Sequence, residues 1–211
     1  MSKKITIALI FGGRSAEHEI SLISAAAIHE NLDREKFEVR SVYITRKGFW
    51  KTVEAPTSDI SSLEAGRAFS FLPWDAGSPG PSLQVDIYFP VLHGPFGEDG
   101  TIQGLLEMAG VPYVGAGVTG SALGMDKVLS KSVLRDHGLP VVPFVAVRET
   151  EWKEGAAAIL RRIRRTMTPP FFVKPSNLGS SVGITKVADP AGLPAALATA
   201  FRYDATALVE K

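Results

Sequence analysis

Ten residues, "KPSNLGSSVG" from Lys174 to Gly183, place a lysine at the end of an apolar run and follow it with a turn rich in Gly and Ser. The run "FFVKP" reads as a strand, whose side chains alternate faces, so Phe172 and Lys174 share one. An ammonium beside a flat apolar ring suits a nucleotide: charge for phosphate, ring for base. Glycine leaves backbone N–H groups unshielded, and successive N–H groups in such a turn form an anion-binding concavity. The serine hydroxyls add donors. The same residue types also make a plain β-hairpin turn, and the spacing is not the Walker pattern G-x-x-x-x-G-K-[ST]. Spacing alone leaves both readings standing.

Two further stretches offer chemistry at strand ends. "FGGRSAEHEIS", Phe11 to Ser21, follows a first strand and enters a helix. Ligand crevices in parallel sheets lie at the carboxyl ends of strands, which places Glu17 to grip a cationic group. Glu19 is instead an acid in a first helical turn, where it favours the macrodipole. "VLHGPFGEDG", Val91 to Gly100, ends another strand at the same sheet edge. His93 there can orient a carboxylate or move a proton, or be structural. Glu98 and Asp99 read as caps of a helix beginning at Thr101. His18, His29 and His137 have no such placement and read as surface residues.

Three other patterns compete for attention. In "MDKVLSKSVLRDHG", Met125 to Gly138, Lys127 stands in a first helical turn, where a cation opposes the dipole. A phosphate nearby would relieve that cost; a solvated lysine is the alternative. Val128, Leu129, Ser132 and Val133 lie along one side of the same helix. "GAGVTG", Gly115 to Gly120, matches G-x-G-x-x-G, but its preceding strand holds a proline and no βαβ unit with an acidic partner follows. Arg161, Arg162, Arg164 and Arg165 form a solvated helix face rather than a nucleic-acid surface, since Leu160, Ile163 and Met167 take the buried side.

The elements that must position these residues follow from periodicity. Strands are expected at 4–11, 37–44, 85–91, 144–147, 171–174, 184–187 and 205–210, and helices at 19–32, 101–109, 126–137, 154–167 and 191–201. A hairpin surrounds Gly48, and 56–82 reads as an insertion without clear period. The β-turn-α-β order at the start argues for a parallel sheet with a right-handed crossover. The later mixture suits an α+β domain. Turn-rich 110–120 marks the boundary, giving domains 1–115 and 116–211.

Bulk properties narrow the function classes. The chain has 211 residues, enough for two modest domains. Net charge is +1, so no global field points to nucleic acid or a membrane surface. There is no cysteine, which excludes disulfides, a thiolate nucleophile and Cys-type zinc sites. The N-terminal "MSKKITIALIFGG" imitates a signal peptide but meets Arg14 and Glu17 without a cleavage site, so a buried strand fits better. The uncharged stretch 108–125 is interrupted by Pro112 and several glycines and is no membrane helix.

Taken together, the segments resemble the D-alanine–D-alanine ligases of the ATP-grasp superfamily. The likeness lies in "FGGRSAEHEIS", "HGPFGEDGTIQG", "GSALGMDK", "FFVKPSNLGSSVGITKV" and "LVEK", in the family's order from one end of the chain to the other. The stretch 37–82 resembles the family's larger-insert branch. The resemblance implies an N-terminal parallel-sheet domain of pre-ATP-grasp, Rossmann-like type, followed by an α+β central ATP-grasp subdomain. It also implies a reaction: two D-alanines join for peptidoglycan while ATP becomes ADP and phosphate. A carboxylate is a poor electrophile, so the first substrate must be activated as an acyl phosphate before the second amine attacks. Such a transfer demands positive charge and fixed donors on phosphate oxygens, and protection from water.

By that likeness Glu17 would hold the first substrate's ammonium and His93 would place its carboxylate. Lys127 and Lys174 would contact nucleotide phosphates. Ser180, Ser181, Val182 and Gly183 would form the loop over them, with Ser180 also linked to Glu17 and both counted as catalytic. Phe172 would line the adenine pocket, Glu210 would accept from the adenine amino group, and the Lys211 backbone would lie beside it. The family's third domain, with its magnesium-binding carboxylates and asparagine, oxyanion arginine and substrate-covering loop, has no counterpart in this sequence. Mg2+ ligands are therefore expected elsewhere, none in this chain. The expectation is a chain that does not turn over alone and leaves apolar surface unpaired, whereas the complete enzyme would be a cytoplasmic homodimer using ATP and D-alanine. A D-alanine–D-lactate or D-alanine–D-serine ligase would share almost every motif, and a non-catalytic nucleotide- or amino-acid-binding module would share many.

Overall fold

Strand β1, Ile5–Gly12, carries an unbroken apolar run, and Ile7 through Phe11 are all buried. Burial on both faces is what the middle of a parallel sheet requires. β1 lies between β2 (Phe37–Ile44) and β5 (Ile87–Pro90), parallel to both. β3 (Trp50–Val53) and β4 (Arg67–Ala68) extend the sheet antiparallel beyond β2, giving the order β4-β3-β2-β1-β5. Helix α1, His18–Asn31, sends Leu22 and Ala25 into a core with Leu9, Phe11 and Tyr43. Ile102 and Leu106 join Ala8, Ile10, Val42 and Ile44 on the opposite face, from helix α3, Thr101–Met108, numbered after the short α2, Ile60–Glu64.

The structure, a computed structural model, describes residues 3–69, 84–179 and 181–211. The chain divides into two compact units, Met1–Ala122 and Leu123–Lys211. The division falls within α4, Val118–Met125. In the second unit come α5 (Lys127–Asp136), β6 (Phe144–Arg148), α6 (Glu149–Thr166), β7 (Phe171–Pro175), β8 (Thr185–Val187), α7 (Leu193–Ala200) and β9 (Thr206–Glu210). Its sheet is antiparallel with the order β6-β9-β7-β8. One face carries Val145, Val147, Phe171, Val173, Ala207 and Val209, buried against Ile159 and Ile163 of α6 and Leu193 and Leu197 of α7. By alternation, Phe144, Phe172, Lys174 and Glu210 belong to the other face. The fold class is thus the expected one: a mixed α/β chain with a parallel-containing sheet and a second, antiparallel sheet.

Several local expectations need correction. The insertion 56–82 holds α2, whose N-cap Asp59 accepts from the Ser61 N–H, and the short β4; 70–82 lie outside the described residues. α4 starts inside the stretch 110–120 expected to be turn-rich and runs through 121–125, where no element was expected, despite Gly120 and Gly124. α6 begins ahead of 154, because the non-helical backbone at Gly155 interrupts its period and hides the first turns. On α5 the expected packed side is open: Leu129 is 54% exposed and Val133 and Leu134 are also exposed, while Lys131 is half-buried. His18, read as a surface residue, is buried. Among the described residues no helix is long and apolar enough to cross a membrane.

Candidate functional site

In the first unit, chemistry collects at the carboxyl ends of β1 and β5. After β1 the chain crosses through α1 to β2 on one side; β5 pairs on the other. That is a switch point, where parallel sheets leave a crevice. Ser21 ties the two strand ends together: its hydroxyl accepts from the Gly12 N–H at 2.8 Å and donates to the Val91 carbonyl. Ser15 donates to the His93 carbonyl at 2.7 Å and accepts from the Glu17 N–H at 3.1 Å. Glu17 and His93, far apart in sequence, therefore stand in adjacent loops.

Each side chain is held. Ser24 Oγ lies 2.9 Å from His93 Nε2, and Glu98 Oε1 lies 3.9 Å from Nδ1. Gly94 has φ +70°, and a Cβ there would run into the Glu17 carboxylate, so the acid rests directly on that glycine. Glu98 accepts from the Gly94 N–H at 2.8 Å, folding back into the loop instead of capping α3. Asp99 does serve the helix start, accepting from the Thr101 N–H at 3.0 Å. A cavity of about 320 Å³ adjoins this corner, lined by Phe89, Leu92, His93, Glu98, Gln103 and Ser121 among others.

His18 is a support. Its Nδ1 lies 2.6 Å from the Gly13 carbonyl, so Nδ1 carries the proton and donates; Nε2 then accepts from the Tyr43 hydroxyl at 3.2 Å. The imidazole fixes the turn between β1 and Glu17. Only its neighbour Glu17 stood out in the sequence, because a histidine flanked by two acids looks solvated.

The second unit gathers the remaining candidates around β7, β9 and the start of α5. Asp126 caps α5 by accepting from the Val128 and Leu129 N–H groups at 2.9 and 3.0 Å, and it takes the Ser176 hydroxyl at 2.5 Å. Burial works to raise its carboxyl, but these donors outweigh it and hold the value below the usual range. Lys127 donates to the Leu178 carbonyl at 2.5 Å and the Ser176 carbonyl at 3.3 Å. Asn177 is fixed by two donations to Asp204 Oδ2, 2.7 and 3.0 Å. The glycine–serine loop thus leaves the sheet from a clamped base.

Ser180 lies outside the described residues. Beyond it, Ser181 (φ 61°) and Gly183 (φ 74°) adopt left-handed backbone, Ser181 being exposed and Val182 half-buried. A Cβ on Gly183 would meet Pro175 and Tyr203 at 2.8 Å, so that position demands glycine. Phe172 and Lys174 share a face as expected, with the Lys174 ammonium 5.8 Å from the ring centroid. Register puts Glu210 of β9 opposite both Phe144 and Phe172. Lys211 follows it, exposed.

Charges around Glu210 are dense. Lys174 ion-pairs with Oε1, and Lys131 Nζ is 2.8 Å from Oε2. Burial tends to raise the Glu210 carboxyl, but the two lysines hold it below the ordinary carboxylate range. Lys127 is pushed down, first by burial and then by the Lys174 charge. A lysine destabilised in that way is one an anion would stabilise. Lys131 and Arg135 were missed in the sequence; both stand over the Phe144 ring, at 5.8 and 5.3 Å. Their signal was the spacing Lys127, Lys131, Arg135, a basic stripe at every fourth residue.

Comparison with known proteins shows the family. The family model described as D-ala D-ala ligase N-terminus matches residues 6–116, and that described as D-ala D-ala ligase C-terminus matches 133–211. A D-alanine–D-alanine ligase of Natranaerobius thermophilus is 43% identical over 99% of this chain and 60% of its own length. The D-alanine–D-alanine ligase structure from Coxiella burnetii superposes with TM-score 0.86 at 37% identity, covering all of this chain and 62% of that one. The VanG D-Ala:D-Ser ligase of Enterococcus faecalis gives TM-score 0.86 at 36% identity, over 99% of this chain and 63% of that one. The chain spans about three fifths of the length of the curated relatives it matches. With both family models matching in order and the two sheets superposing on solved relatives, the chain belongs to the D-alanine–D-alanine ligase family.

Proposed function

We propose that this chain binds D-alanine through its first unit and ATP through its second, serving the ATP-dependent joining of two D-alanines for peptidoglycan synthesis. One observation carries the reading: Lys127, Lys174, Phe172 and Glu210 come together at the base of a glycine–serine loop. Lys127 and Lys174 supply charge for phosphate oxygens. Ser181, Val182 and Gly183, with left-handed backbone at Ser181 and Gly183, together with Ser180, which lies outside the described residues, would offer backbone and hydroxyl donors to those oxygens. Phe172 offers a ring for adenine, Glu210 an acceptor for its amino group, and Lys211 a backbone edge.

Glu17 receives the ammonium of the first D-alanine, and His93 stands in the adjoining loop to place its carboxylate. Activation of that carboxylate as an acyl phosphate concentrates negative charge, which buried lysines offset better than solvated ones. Among the described residues no group of three or more His, Asp or Glu side chains could hold a metal ion. A cytoplasmic location and homodimeric assembly belong to the same proposal. A D-serine acceptor is less favoured, since the curated relative at 43% identity is named a D-alanine–D-alanine ligase.

Titration calorimetry tests this. ATP and D-alanine should each bind the chain; Lys174→Met should weaken ATP by at least about tenfold, a loss of roughly 1.4 kcal/mol, and leave D-alanine unchanged. Glu17→Gln should do the reverse. Absence of ATP binding to the unsubstituted chain would overturn the reading, and binding of ATP alone would reduce it to a nucleotide-binding module.

A further inference from the structure

Lys131 has no part in the nucleotide reading above, yet it touches the residue on which base recognition would depend. It lies one turn beyond Lys127 on α5, and its ammonium is 2.8 Å from Glu210 Oε2. Lys174 holds the other oxygen. The two cations approach from opposite sides of β9: Lys174 stands over Phe172 of β7, and Lys131 over Phe144 of β6. The Lys131 contact is an ion pair out of hydrogen-bond alignment, since Oε2 is buried and accepts no aligned hydrogen bond. The Glu210 side chain is only 10% exposed. Lys127 also acts on Glu210 through charge, so the carboxylate is surrounded by Lys127 and Lys131 of α5 and Lys174 of β7.

A lysine that grips a phosphate must relax its hold on a carboxylate. Were Lys174 the only partner, its departure would leave a buried anion uncompensated, and Glu210 would take up a proton. Lys131, ion-paired with the other oxygen, would remain as a counter-ion. An ionised carboxylate can only accept hydrogen bonds, whereas a protonated one also donates. A 6-aminopurine presents a donor at that position; a 6-oxopurine presents an acceptor, which an ionised carboxylate repels.

We propose that Lys131 is a positioning residue for base selection: it keeps Glu210 an acceptor-only carboxylate while Lys174 turns to phosphate, so that the site takes a 6-aminopurine nucleotide and rejects a 6-oxopurine one. This rests on Glu210 being the partner of the base amino group.

The test is competitive equilibrium binding of ATP and ITP to the unsubstituted chain, Lys131→Met and Lys131→Arg. The unsubstituted chain should prefer ATP. Lys131→Met should reduce that preference at least about tenfold, and Lys131→Arg should restore most of it. Equal weakening of ATP and ITP in Lys131→Met would make Lys131 a general phosphate contact and overturn the inference. So would an unchanged ratio, or failure of the arginine to restore it. A second measurement needs no variant: the Glu210 carboxyl carbon resonance should report an ionised group near neutral pH both without and with ATP, and protonation on ATP binding would overturn the inference. If the unsubstituted chain binds no ATP, the nucleotide reading fails and takes this with it. If ATP binds normally and the ratio does not move, only the role of Lys131 fails.

Discussion

Asp126 shows how much one carboxylate can organise. It caps α5, fixes the Ser176 hydroxyl, and so joins the helix to the root of the glycine–serine loop. Asp126→Ala should cost about 1–2 kcal/mol of second-unit stability, read by urea denaturation of Trp152 fluorescence, and should weaken ATP binding as well. Intact stability with normal ATP affinity would separate cap from loop and contradict the clamp. Gly94 is the parallel case in the first unit. Gly94→Ala places a methyl in left-handed backbone against the Glu17 carboxylate; about 1–2 kcal/mol should be lost, and calorimetry should find D-alanine binding weakened while ATP binding is unchanged. Glu17, His93, Lys127 and Lys174 could be singled out as candidates in the sequence because each stands at or near the end of an element. His18 and Lys131 could not, because their roles depend on partners 25 and 79 residues away, Tyr43 and Glu210.

At the scale of elements, the apolar pattern worked where a strand is deeply buried. β2 was placed at its observed bounds because Ser41 to Ile44 are buried, with Val42 and Ile44 in the core on one face of the sheet and Tyr43 in the core on the other. α4 was invisible because its glycines imitate a turn and almost none of it is buried. α5 misled for a different reason: its sheet-facing side is basic, drawn to Glu210, so hydrophobicity pointed the wrong way. The core between the antiparallel sheet and α7 follows the simpler rule. Leu197, fully buried beside Phe171 and Val173, should cost about 2–5 kcal/mol on Leu197→Ala, measured by urea denaturation. A loss under about 1 kcal/mol would mean the cavity collapses.

Across the whole molecule, acid sensitivity should come from both units. In the first, burial works to raise the Asp99 carboxyl, but hydrogen bonds from Phe96 and Thr101 hold it below the usual range. In the second, Asp126 and Glu210 are held below the ordinary carboxylate range in the folded chain. Unfolded, they bind protons at higher pH, so their contribution is fully present above about pH 5 and is lost as pH falls through about 4 toward their folded values. Urea midpoints followed by Trp152 should therefore decline across that window, and less so in Glu210→Gln. A flat profile would mean the ion pairs contribute nothing net.

One topological detail has a temporal meaning. Among the described residues β9 is the last strand of its sheet in sequence, yet it sits between β6 and β7. Until that segment emerges, β6 has no hydrogen-bonded neighbour and β7 has only β8, on its other edge. While residues 206–210 remain inside the ribosome, the emerged strands have edges with no native mate, and such edges invite pairing with other chains. The first unit, complete by residue 122, has no such delay. Ribosome-bound intermediates halted before residue 206 should then be protease-resistant over the first unit and cut within the second, with resistance of the second arriving in a single step once β9 is free.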